Sequence, residues 1–390
     1  MTTKRSGPRE FLPFHKPSFG PEELAQVAEA LESGWLTRGP KTQQFEDEFR
    51  DYIGCEGAVG VNSATAGLHL ALVCLGIGDG DEVITTPITY CATPNEIEHA
   101  GATPIFVDVD PETYLIDPKA VEAAVTSRTR AIMPVHLYGQ SCDMDALLEI
   151  AKKHDLKIVE DAAHAIETTW GDRKIGTIGD FTVFSFYPTK NISTGEGGMM
   201  TTMDAALAER AKSLSMHGNS KDAWKRYGSA GFAHYSLVER GYKYHMFDLL
   251  AALGLGQMPK LEGWWQHRKE LWALYDEALR GIPGVRPIPV KPWGRHAHHL
   301  YVIEIDPTVL DVSRDEAMNY LQQNNVGVGI HYYGMHLQPY YAQRYGLRPE
   351  QFPIATRASE QMLSLPLYPR MTAPDVEAVA DVVRHLANTR

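Results

Sequence analysis

The chain has 390 residues, 44% hydrophobic and 22% charged, a globular composition that excludes a mainly disordered protein. With 37 basic against 49 acidic residues the formal charge is −12, so a nucleic-acid binder relying on a net positive field is not expected, and an anionic ligand needs a locally built site. The four cysteines, at 55, 74, 91 and 142, are too scattered for a disulfide framework and show no CxxC pair; with no signal-peptide core near the N-terminus and no run of eighteen apolar residues, a soluble cytoplasmic protein with no membrane partner is expected.

Two amphipathic stretches, PEELAQVAEALESG and KTQQFEDEFRDYI, are separated by the Gly/Pro-punctuated GWLTRGP and read as a helical lead-in. From about residue 56, apolar runs at 56–62, 82–87, 103–109, 130–135 and 156–161 alternate with LHLALVCLGIG, ATPNEIEHAGA, PKAVEAAV and MDALLEIAKKH, whose apolar residues recur every three or four positions. This is a βαβ rhythm, and it predicts a mostly parallel sheet flanked by crossover helices. After Lys190 come a helix near 204–215, a polar loop and a long helical stretch over 247–281. Residues 282–294 hold four prolines and cannot continue a helix, so they mark a domain boundary. Beyond them HLYVIEI reads as a strand, RDEAMNYLQQNN as a helix, VGVGIHY as a strand and PDVEAVADVVRHLA as a terminal helix. The expected organisation is α/β: a large domain over 1–284 and a smaller α+β domain over 285–390.

Chemistry is suggested first by Lys190, in the hydroxyl- and glycine-rich segment FTVFSFYPTKNISTGEGGMM after a strand. An amine there can form a Schiff base with a carbonyl, contact a phosphate, or be a solvated loop lysine. Asp161, in KIVEDAAHA, falls at the C-terminal end of a predicted parallel strand, where ligands of open α/β sheets bind; it can pair with a heterocyclic N–H or cap a helix. In VNSATAGLHLAL a strand gives way to a helix, so the amides of Ala64 and Thr65 can face a phosphate or form an ordinary helix start. GIGDG at 76–80 precedes a strand and is no dinucleotide fingerprint. The histidines of RHAHHLYVIEID lack a carboxylate to complete a four-ligand set, so no metal is expected, and the WW pair at 264–265 reads as packing.

Taken together, FSFYPTKNISTGEGG, VEDAAHA, NSATAGLHLAL, TTPITYCATPNEIEHAGATPIFVDVD, HLYGQSCDMDAL and LPLYPRMTAPDVEAVADVV resemble the DegT/DnrJ-type nucleotide-sugar aminotransferases, which depend on pyridoxal phosphate (PLP) and have the fold-type I transferase architecture. The resemblance runs from about residue 12 to the C-terminus. It implies that Lys190 carries the cofactor and that Asp161 partners its pyridine nitrogen. His164 then approaches the ring oxygen, Tyr90 stacks on the ring, and Ser185, Ala64 and Thr65 form the phosphate cup. It further implies a homodimer with shared sites, in which Lys243 or His245 of GYKYHMFD reaches the neighbouring subunit's phosphate cup. Many members have Asn where this chain has Lys243. For the substrate, the resemblance implies a nucleotide-linked keto-deoxy sugar, with glutamate as amino donor. SGWLTRGP is more similar to members that aminate C4 than to those that aminate C3, with Thr37 as a sugar contact, and GIHYYGMHLQPYY places His331 and Tyr332 near the sugar nucleotide. A related sugar dehydratase would replace the lysine by histidine, so Lys190 argues against that activity. The intact set of Lys190, Asp161 and Tyr90 argues against a non-enzymatic sensor. An aminotransferase acting on a keto-cyclitol would share every cofactor residue.

Overall fold

Two helices that each start on a proline, whose missing N–H is no loss in a first turn, lead into the sheet: α1 (Pro21–Ser33) and α2 (Pro40–Ile53). The computed structural model describes residues 7–219 and 236–388; part of the polar loop expected after residue 215 lies outside them. Strand and helix then alternate as β1 (Gly57–Val61), α3 (Ala64–Cys74), β2 (Glu82–Thr85), α4 (Ala92–His99), β3 (Thr103–Phe106), α5 (Pro118–Ala124), β4 (Thr129–Met133), α6 (Met144–His154) and β5 (Lys157–Asp161). A short hairpin, β6 (Thr169–Trp170) with β7 (Arg173–Lys174), precedes β8 (Phe181–Ser185) and β9 (Gly198–Thr202). Three helices follow: α7 (Ala205–Ser215), α8 (Asp248–Gln257) and α9 (Leu261–Ala278). The C-terminal region comprises β10 (Val285–Pro287), β11 (Tyr301–Ile305), α10 (Pro307–Leu310), α11 (Arg314–Gln323), α12 (Pro339–Tyr345), α13 (Pro353–Gln361), β12 (Met362–Leu365) and α14 (Ala373–Asn388).

The large sheet runs β1-β9-β8-β5-β4-β2-β3. Its last four junctions are parallel, and β9 is antiparallel to both of its neighbours. Successive side chains of a strand point to opposite faces, so Val183 of β8 joins a core with Val59, Leu70, Val83 and Val159, while the next residue, Phe184, packs with Phe45, Phe49 and Ile132 on the other side. Both faces are thus covered, as a largely parallel sheet requires. A separate antiparallel sheet, β10-β11-β12, has its own core, to which α9 adds Leu271, Trp272 and Tyr275, and α14 adds Val379 and Val383.

The structure departs from the sequence reading in two places. VGVGIHY is not a strand: Val326 and Gly329 make only isolated bridges, to Leu12 and Ser364. A side chain at Gly327 would sit 2.5 Å from the Phe14 backbone nitrogen, so that segment is shaped by the lead-in chain crossing it. The helical stretch over 247–281 is two helices, because Met258–Lys260, with Pro259 inside, forms a tighter 3₁₀ turn between α8 and α9.

Candidate active site

The C-terminal ends of β5 and β8 open beside the first turn of α3, and a cavity of about 460 Å³ lies there. Its walls include Ala64, Thr65, Tyr90, Asp161, His164, Ser185, Lys190, His331 and Tyr332. Nine residues marked in the sequence, spread over 269 positions from 64 to 332, therefore share one space. Tyr187, Glu196 and Gly197 also line it, and no local pattern had marked them.

Lys190 ends a turn in which its amide donates to Tyr187 O at 2.9 Å. Burial lowers its amine from 10.5 to about 8, partly offset by Asp161. Asp161 ends β5, and its carboxylate accepts from Thr93 Oγ1 at 2.8 Å and from the Ala163 amide at 3.1 Å. Burial raises the Asp161 pKa, while Thr93, Ala163, Lys190 and His136 act in the opposite direction. Thr93, in the first turn of α4, is itself bonded to Thr89, in the bend before that helix, at 2.7 Å.

His164 accepts the Tyr138 amide proton on Nδ1 at 3.2 Å, so its own proton is on Nε2, 3.0 Å from the Tyr332 hydroxyl. Burial, with Lys190 and His331 nearby, holds His164 well below the usual histidine range, and it is neutral. His331 is bonded to Ser364 Oγ at 2.8 Å and stacked on Phe14, and burial brings it down to about 3. Tyr90 is 60% exposed at the mouth, its ring 6.1 Å from that of Tyr332.

The anion-binding end is made of backbone. Ser63 caps α3 by accepting the Ala66 amide at 3.1 Å, and the amides of Ala64 and Thr65, in the first turn, have no acceptor within the helix. Gly198 pairs with Ser185 across β8 and β9, and a side chain there would lie 2.7 Å from Ala64 N. The cradle is therefore open only because residue 198 has no Cβ. Such a donor set of two helix-start amides and one hydroxyl suits a phosphate. A buried amine and a buried carboxylate in the same cavity suit a carbonyl-bearing heterocycle, so the residues fit PLP.

Thr37, Lys243 and His245 are not brought into this cavity. Thr37 Oγ1 instead meets His245 Nε2 at 3.3 Å, and His245 is buried with no hydrogen-bond partner on Nδ1 among the described residues. Tyr242 and Tyr244 stack on each other, while Lys243 is exposed. The histidines at 296, 298 and 299 form no metal group: among the described residues no three His, Cys, Asp or Glu side chains are so placed. His296 and His298 pack on Trp272, and His299 packs on His164. Trp265 donates to His296 O at 2.8 Å, a packing role. The four cysteines are free thiols, three of them buried. No helix among the described residues is long and apolar enough to cross a membrane.

A doubly covered, mostly parallel sheet with a lysine, an aspartate and a phosphate-sized backbone cup at its C-terminal edge defines an aminotransferase of the fold-type I architecture. The chain belongs to the DegT/DnrJ/EryC1/StrS aminotransferase family, whose pattern it matches over residues 17–384. It is 50% identical over 387 residues to the spore coat polysaccharide biosynthesis protein SpsC of Bacillus subtilis, covering 99% of each chain. Among solved structures, Spr1654 of Streptococcus pneumoniae in its PLP-form superposes with a TM-score of 0.90 at 31% identity, over 97% of this chain and 99% of that one. DesI, crystallised in the presence of its TDP-sugar product, gives 0.87 at 32% identity, over 98% and 94%.

Proposed function

We propose that this protein is a cytoplasmic, PLP-dependent aminotransferase that moves an amino group from glutamate to a nucleotide-linked keto-deoxy sugar, at C4 of a 4-keto-6-deoxyhexose. The observation that carries the reading is the shared cavity of Lys190, Asp161 and the α3 cup. Ala64, Thr65 and Ser185 hold the phosphate, the Asp161 carboxylate pairs with the ring N–H, and Tyr90 covers the ring. Bound there, PLP supplies the electron sink for labilising the donor's α-hydrogen and carries nitrogen between the two substrates. Lys190 holds and moves the proton at Nζ; a pKa of about 8 leaves it able to act as a base near neutrality. The His331–Tyr332 wall and the exposed Tyr90 flank the route by which a sugar reaches the amine. The C4 preference rests on SGWLTRGP, and the nucleotide-sugar class is supported by the likeness to DesI.

The test is a glutamate-dependent amination assay over UDP-, dTDP- and GDP-linked 4-keto-6-deoxy sugars, with regiochemistry read by NMR and borohydride labelling mapped by peptide analysis. The expected outcome is a 4-amino sugar and a label on Lys190. Nitrogen on C3, or turnover of a keto-cyclitol alone, overturns the substrate assignment; a label on another lysine overturns the cofactor assignment.

A further inference from the structure

Asn191 follows Lys190 directly, and its side chain is held from both ends. Nδ2 donates to Glu167 Oε2 at 2.6 Å, and Oδ1 faces His299 Nδ1 at 2.7 Å. An amide oxygen only accepts, so His299 must carry its proton on Nδ1. Glu167 is wholly buried, and its other oxygen takes the guanidinium of Arg268, itself 1% exposed. Arg268 is tied in turn to His298 O through Nε at 3.1 Å. Beyond Asn191 the chain continues: the His299 ring packs on that of His164 at 4.5 Å between centroids, and His164 reaches Tyr332.

Glu167, Asn191, Arg268 and His299 do not line the cavity, yet two of the segments that bear them, the turn after β5 and the lysine loop, carry residues that do, His164 and Lys190. Isolated buried carboxylates are costly, and this one persists because both oxygens have strong donors. One of those donors is the side chain adjoining the lysine. Four separate segments, the turn after β5, the lysine loop, α9 and residues 297–299, are thereby fixed to one another through one amide.

We propose that Asn191, clamped between Glu167 and His299, is a positioning residue that sets where the Lys190 amine stands in the cavity. The proposal rests on Lys190 being the proton-transferring amine. It implies that loosening the clamp impairs the proton-transfer step while leaving cofactor and donor binding nearly unchanged. The bond also has a direction that can be reversed. Asn191→Asp sets two carboxylates against each other, whereas the double variant Glu167→Gln with Asn191→Asp restores one amide and one carboxylate, and His299 can still donate.

The experiment uses the PLP-loaded enzyme and compares Asn191→Ala, Asn191→Asp and the double variant with wild type. Measured are the visible absorbance band, kcat and KM for glutamate, and melting temperature. For Asn191→Ala the band persists, KM stays within about threefold and kcat falls roughly 10- to 100-fold, since a misplacement of about 1 Å can cost about 100-fold. The double variant should recover kcat at least about tenfold over Asn191→Asp. Wild-type kcat in Asn191→Ala, with only a lowered melting temperature, overturns the proposal, as does a double variant no better than Asn191→Asp. If Asn191→Asp does not fold, Asn191→Ala decides alone. Failure of the underlying assignment is visible separately, in the wild-type protein, as borohydride label absent from Lys190.

Discussion

At the scale of one residue, the property that suits Lys190 to the proposed proton transfer also destabilises the fold. Its amine has a pKa of about 8 in the folded chain against its ordinary value of 10.5, so the unfolded chain binds the proton more readily. The penalty is complete below pH 8, fades as pH rises from 8 to 10.5, and is gone above that. At 1.36 kcal/mol per unit it reaches a ceiling of about 3 kcal/mol, a ceiling because water can enter the cavity that Lys190 lines. Cofactor-free Lys190→Met should therefore resist urea better than cofactor-free wild type at pH 7, with the advantage shrinking toward pH 10.5. Unfolding curves that differ equally at both pH values would show that the gain comes from packing and not from the buried amine. The same residue shows what sequence reading reaches: Lys190, Asp161 and Ser185, which share the cavity, could be marked because Asp161 and Ser185 end strands, Lys190 lies in the loop after β8, and all three fall in motifs that resemble the family's. Glu167, Asn191, Arg268 and His299 could not, because their meaning lies in contacts between positions up to 108 residues apart, Asn191 to His299, and no local pattern encodes those.

At the scale of elements, the cup exists where the end of β8, the start of β9 and the start of α3 meet. Gly198→Ala would place a Cβ 2.7 Å from Ala64 N and 2.8 Å from Phe184 O, both of them backbone atoms that cannot swing aside. The helix start must then move away from Ser185. Loss of one or two bonds to a charged phosphate, each worth about 1.5–3 kcal/mol, should weaken PLP binding by roughly 10-fold or more. Titration of the cofactor-free variant, followed by the visible band, checks this; unchanged affinity would show that the phosphate does not sit at α3. Ser63→Ala is the milder companion, expected to lose about 1 kcal/mol of stability through its cap. The strands with clear apolar runs were legible, whereas β9 (GMMTT) was not: it carries no period-two pattern, being buried on both faces beside a glycine-rich loop. VGVGIHY misled for the converse reason, since its β-branched residues suit a strand but its backbone is engaged by Leu12 and Ser364 instead of a ladder.

At the scale of the molecule, the cavity within one chain leaves Thr37, Lys243 and His245 grouped elsewhere, in a region that also exposes apolar side chains. Leu24 and Leu31 of α1 are 72% and 56% exposed, and Trp35, Leu36 and Phe247 are exposed as well. A two-fold dimer would bury such a face against its own copy. We propose that Lys243 or His245 crosses to the partner's phosphate cup in such a dimer. If so, the inactive variants Lys190→Ala and Lys243→Ala/His245→Ala should complement each other. Random subunit exchange makes about half the dimers mixed, and each mixed dimer holds one site with an intact lysine and an intact crossing loop, so about a quarter of wild-type activity should return. Native mass spectrometry can verify the exchange. Mixed dimers that form but stay inactive, while each parent is folded and binds its own kind, would mean that every site is complete within a single chain and that the apolar face serves association alone.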